Sequence, residues 1–124
     1  MEFKIKSGSP DKQRSRCLVV AVFEDQELSR SAKTIDLCTK KLLSSLLKRG
    51  DISGETGTTL LGPNAGDIPA MRVMLAGCGK KSEFTGKKLM QVTDKIIGSL
   101  QSYDISDADL FLALTNDDQA NLAV

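Results

Sequence analysis

Histidine and tryptophan are missing from this 124-residue chain. Without histidine, neither a Ser-His nor a Cys-His nucleophilic pair can be assembled. Aromatic residues make up only 4% of the sequence, so we expect a core of Leu, Ile, Val and Ala. No apolar run approaches the roughly 20 residues that span a bilayer, and the opening residues lack the apolar segment of a signal peptide. These absences predict a cytoplasmic protein with no membrane partner, and the length suits a single domain.

Cysteine is scarce as well: the three thiols are Cys17, Cys38 and Cys78. None of them forms a CxxC pair. Cys17 and Cys78 lie in or beside apolar strand patterns, and Cys38 lies on a helical stretch. This spacing favours reduced, mostly buried thiols over a zinc site or a disulfide framework. We therefore expect no metal site and no cofactor in this chain.

Charge is unevenly distributed along the sequence. All 17 Lys and Arg residues precede position 100 and face 11 acids there, whereas residues 101–124 contain five aspartates and no base. The main body therefore carries a surplus of six positive charges, which could attract an anion but is also common on a solvated surface.

Hydrophobic periodicity predicts an alternation of strands and helices. The predicted strands are EFKIK at 2–6, CLVVAVF at 17–23, TTLLG at 58–62, MRVMLAG at 71–77 and ADLFLAL at 108–114. One helix is predicted from Ser29, its N-cap, to Arg49, with Gly50 as the stop, and a second begins after the N-cap Thr85. Asn116 or Asp117 could cap a third. This order predicts an α/β fold with a mixed sheet.

The segment AGCGKK follows the fourth predicted strand and carries the best candidate for a binding site. Gly77 and Gly79 allow close approach of the backbone, and Lys80 and Lys81 supply charge near a helix N-terminus, as an anion contact requires. The segment matches neither the P-loop nor the dinucleotide pattern, because Lys81 and Ser82 stand where those patterns need Ser/Thr and Gly. The alternative is a tight connector with solvated lysines, and we favour it.

Two further groups carry charge without a complete motif. Asp107 and Asp109 flank the start of the last strand and could pair as carboxylates. Lys12, Arg14 and Arg16 could contact phosphate, but no aromatic residue is interleaved to stack a base. For the two aspartates we favour a solvated strand end over a carboxylate pair, and a nucleic-acid contact of the basic group would rest on charge alone. No set of nucleophile, base and oxyanion donors is present, so we predict no catalytic residue.

Three segments together resemble bacterial leucyl aminopeptidases, also called cytosol aminopeptidases. They are MEFKIKSGSPDKQRSRCLVVAVFE, LLKRGDISGETGTTLLGP and MRVMLAGCGKKSEFTGKKLMQV. The resemblance runs from Met1 to about Leu114. It implies that residues 1–124 form one N-terminal accessory domain with a three-layer macrodomain-like fold. The last helix is unfinished, so we expect the domain to be truncated at its C-terminal end.

The same resemblance implies that the chemistry lies elsewhere. Family members carry a following catalytic domain with two divalent metal ions (Zn, Mn or Mg), and its signature NTDAEGRL is absent here. The implied partners are this chain's own catalytic domain, five further copies in a homo-hexamer and, for some bacterial members, DNA. The alternative is a stand-alone binding module for ADP-ribose or nucleic-acid phosphates, in which the Gly77–Lys81 turn would hold the ligand.

Overall fold

The computed structural model describes residues 2–6, 9–24, 27–62 and 68–112. These residues form five strands, three helices and two short 3-10 turns. In chain order the strands and helices are β1 (Glu2–Ile5), β2 (Leu18–Val22), α1 (Arg30–Cys38), α2 (Leu42–Lys48), β3 (Thr59–Leu61), β4 (Val73–Gly77), α3 (Gly86–Ser102) and β5 (Asp107–Phe111). The predicted third helix from Asn116 or Asp117 lies outside the described residues.

The strands form one mixed sheet in the order β1-β5-β2-β4-β3. β1, β5, β2 and β4 run parallel, whereas β3 pairs with β4 in the antiparallel direction. Val20 lies beside Leu75 on one side and Phe111 on the other, so β2 is at the centre of the sheet. The predicted α/β fold with a mixed sheet is confirmed.

Both faces of the central strands are buried, as the continuous apolar run in β2 predicts. Alternate residues of each strand point to opposite faces and enter two separate cores. The α3-side core includes Val19, Ala21, Met74, Ala76, Val92, Ile96, Leu100 and Leu110. The α1–α2-side core includes Leu18, Val20, Leu75, Ala32, Ile35, Leu43, Leu47 and Phe111. Helices thus cover both faces, which makes the three layers of the expected architecture.

The helix starts follow the sequence signals. Ser29 Oγ accepts a hydrogen bond from the backbone N–H of Ala32 at 3.2 Å, and Thr85 Oγ1 accepts one from that of Lys88 at 3.3 Å. Each side chain satisfies a backbone donor that the first helical turn leaves unpaired. Gly50 has a φ of 78° directly after Arg49, the C-cap of α2, and so provides the predicted stop.

The prediction of one continuous helix from Ser29 to Arg49 was wrong. The chain leaves helical geometry after Cys38, where Lys40 and Lys41 adopt left-handed φ values of 57° and 62°. A straight helix of that length would extend about 30 Å, whereas five-residue strands span only about 17 Å. The break allows α1 and α2 both to pack over the short sheet.

Asp36 holds this break in place. Its buried side chain accepts hydrogen bonds from the backbone N–H of Ser44, at 2.9 Å, and from the Ser44 hydroxyl. Its backbone oxygen accepts from the N–H of Lys41 at 2.7 Å. Asp36 therefore supplies, from α1, the capping oxygen that the N-cap residue Lys41 cannot offer to α2.

Candidate functional site

The predicted glycine turn lies where open α/β sheets usually bind ligands. β2 leads to α1 on one face of the sheet, and its neighbour β4 leads to α3 on the opposite face. Neighbouring strands with connections to opposite faces leave a crevice at their carboxyl ends. Gly77, Cys78 and Gly79 lie at this crevice, at the carboxyl edge of the sheet.

A loop of the same chain fills that crevice. We call residues 54–58 (Gly-Glu-Thr-Gly-Thr) the strap. A Cβ atom added to Gly77 would overlap the Glu55 carbonyl oxygen and the Thr58 hydroxyl, and one added to Gly79 would overlap the Thr56 hydroxyl. A Cβ atom on Gly54 would likewise overlap the backbone of Phe23. The glycines therefore permit close contact between two segments of backbone.

The backbone donors of the turn are occupied by this contact. The N–H of Gly77 donates to Thr58 O at 2.7 Å, that of Cys78 to Val22 O at 2.9 Å, and that of Gly79 to Gly54 O at 2.9 Å. An anion cradle needs such amides directed at the ligand. An anion contact at this turn would therefore depend on lysine side chains rather than on Gly77 and Gly79.

The lysines of the turn are exposed, and one has an acidic neighbour. Lys80 is exposed, and Lys81 Nζ lies 3.4 Å from Glu27 Oε1. Lys87 and Lys88 lie in the first turn of α3 beside Thr85 and Glu83, around a shallow depression of about 290 Å³. The anion contact at Lys80 and Lys81 stays a prediction.

The thiols lie as the sequence indicated. Cys17 and Cys78 are buried, Cys38 is half-buried, and the three are not joined by disulfides. Burial raises the pKa of the Cys17 thiol to about 11, against a small lowering by Arg72, and raises the pKa of the Cys78 thiol to about 12. Both therefore stay protonated at neutral pH and are poor nucleophiles there.

Within the described ranges, no group of three His, Cys, Asp or Glu side chains could hold a metal ion. In the same residues, no helix is long and apolar enough to cross a bilayer.

Members of the basic group (Lys12, Arg14 and Arg16) and of the aspartate pair (Asp107 and Asp109), which the sequence treats as separate candidates, lie together in the folded chain. Arg14 and Arg16, from the segment before β2, line a groove together with Asp107 and Asp109. We call it the amino-edge groove, because it lies where the parallel strands begin. It encloses about 590 Å³ and is lined by Lys4, Lys6, Gln13, Arg14, Ser15, Arg16, Pro69, Met71, Asp107, Ala108 and Asp109. Lys12, the third member of the predicted basic group, is not in this lining.

Sequence reasoning missed the lysines of the amino-edge groove. Lys4 lies directly opposite Asp109 in the pairing of β1 with β5, and Lys6 Nζ lies 3.7 Å from Asp109 Oδ1. The alternation of EFKIK placed these lysines on one face of a strand. The parallel pairing of β1 with β5, over 100 residues away, has no local signal.

Comparisons with known proteins agree with this architecture. Residues 19–124 match the model of the cytosol aminopeptidase family, N-terminal domain. The chain is 44% identical to a probable cytosol aminopeptidase of Psychromonas ingrahamii, and the match covers 91% of this chain but 22% of that protein. A probable cytosol aminopeptidase of Tolumonas auensis is 45% identical, over 90% of this chain and 22% of the relative.

A solved structure shares the fold. A mutant of tomato leucine aminopeptidase superposes with a TM-score of 0.69 at 16% identity, over 99% of this chain and 26% of that one. The chain thus spans about a quarter or less of each of these proteins, and the family model that it matches is the one for their N-terminal domain. This chain belongs to the cytosol aminopeptidase family, as its N-terminal domain.

Proposed function

We propose that this chain is the non-catalytic part of a metallo-aminopeptidase that removes N-terminal residues from peptides, and that it serves assembly or regulation of that enzyme. The observation that carries the proposal is the family match over residues 19–124, combined with coverage of only 22% of the relatives' length. The absence of the signature NTDAEGRL from the sequence supports a catalytic centre elsewhere in the protein.

The make-up of the described residues supports a structural role for this domain. The chain contains no histidine, and both buried thiols are protonated at neutral pH because burial raises the pKa of Cys17 and Cys78. The glycine turn at the carboxyl edge is occupied by the strap. The two buried thiols and the glycines of the turn therefore have packing roles.

The proposal extends to the whole protein. The catalytic domain would follow this one in the chain and hold two divalent metal ions, Zn, Mn or Mg. The complete protein would form a homo-hexamer in the cytoplasm, with the present domain attached to its own catalytic domain. These features come from family membership, and no residue of the present chain is assigned to a metal.

Hydrolysis of leucine p-nitroanilide by two purified proteins tests the proposal. One is the 124-residue chain, and the other is the complete product of the source gene, whose intact mass is measured first. With manganese or zinc added, we expect hydrolysis only by the complete product, at a mass several times that of the 13.4 kDa chain. Hydrolysis by the chain alone, or a gene product of the same mass, would contradict the proposal.

The alternative of a stand-alone module for ADP-ribose has no supporting observation. The crevice that would take such a ligand is filled by the strap, and the amides of Gly77 and Gly79 donate to protein carbonyls. We expect no heat of binding when ADP-ribose is titrated into the chain. DNA contact stays a prediction, for which a duplex titrated at two salt concentrations gives the test, since phosphate contacts weaken as salt rises.

A further inference from the structure

We draw no further inference here: the strongest candidate, the apolar strip that Phe3 and the exposed Ile5 form along the edge strand β1 on the α3 side of the sheet, carries none because nothing in the described residues shows what covers it.

Discussion

Gly77 ends β4 in direct contact with the strap, and its lack of a side chain is a requirement of packing. Its N–H donates to Thr58 O, and its carbonyl oxygen accepts from the N–H of Gly57 at 3.1 Å. Any Cβ atom at this position would overlap backbone atoms, which cannot rotate away as a side chain can. The motif AGCG is therefore explained by a tight backbone contact.

Gly77→Ala is expected to lower the free energy of unfolding by about 2–4 kcal/mol, because the strap must move or strain. The matched control is Gly98→Ala on the exposed side of α3, where nothing lies within 4 Å of the added methyl group. That substitution should stabilise the chain by about 0.5–1 kcal/mol through helix propensity. Urea denaturation measures both, and equal effects would contradict the packing explanation.

The buried thiols predict a pattern of chemical reactivity. Burial holds the pKa of Cys17 at about 11 and that of Cys78 at about 12, so at pH 8 almost no thiolate is present at either position. With an aromatic disulfide reagent at pH 8, we expect only Cys38 to react in the native chain. Cys17 and Cys78 should react at the rate of unfolding. Fast reaction of Cys78 would show that the glycine turn opens readily.

The same pKa shifts predict a loss of stability at alkaline pH. In the unfolded chain both thiols titrate near the ordinary value of 9.0, whereas in the folded chain they keep their protons up to about pH 11 and 12. Between these limits the unfolded state binds fewer protons, so the free energy of unfolding falls as pH rises. Stability measured from pH 8 to 11 should fall less steeply in Cys78→Ala than in the unmodified chain.

At the scale of secondary-structure elements, the break between α1 and α2 illustrates the limit of periodicity. The apolar positions Ile35, Leu42 and Leu46 fit one helical stripe, and nothing in the segment Thr39-Lys40-Lys41 excludes a helix. The break depends on the buried Asp36 side chain, which caps α2 from the preceding helix. Capping by a residue eight positions from Ser44 has no recognised sequence pattern.

Asp36→Ala should lower the free energy of unfolding by about 1–3 kcal/mol, because Ser44 loses its capping acceptor inside the fold. Asp36→Asn keeps one acceptor oxygen and should lose less. Asp94→Ala, on the exposed face of α3, is the control and should change stability by less than about 0.5 kcal/mol. Thermal unfolding followed by circular dichroism measures the stability of each variant. If Asp36→Ala lowers stability no more than Asp94→Ala does, the Asp36 side chain does not stabilise the start of α2.

At the scale of the whole molecule, β2 joins the two cores. Val19 enters the α3-side core and Val20 the α1–α2-side core, and both are fully buried. Since one strand forms part of both cores, neither core can open while the other stays packed. We therefore expect a single cooperative unfolding transition, as in most small domains.

Val19→Ala and Val20→Ala test this coupling from opposite faces. Each should lower the free energy of unfolding by about 1–3 kcal/mol, because each leaves a cavity in a close-packed core. Both should leave the urea m-value unchanged, and Tyr103 fluorescence and circular dichroism should report one midpoint. Two separated transitions in either variant would show that the layers unfold independently.

The sequence by itself determined the buried strands and the starts of α1 and α3. The continuous apolar runs of β2 and β4, the N-caps Ser29 and Thr85, and the stop at Gly50 are local signals, and each is present in the structure. The same local patterns carried the family resemblance that the comparisons confirm. Burial and capping depend on residues a few positions apart, which is why they can be read from one segment at a time.

Only the tertiary structure decided how those elements meet. The strap over Gly77, the cap that Asp36 offers to Ser44, and the pairing of Lys4 with Asp109 each join segments distant along the chain. Such contacts are selected by the total burial and hydrogen bonding of the folded state, which no single segment contains. For this reason the groove at the amino edge of the sheet, which joins β1 to the start of β5, became visible only in the fold.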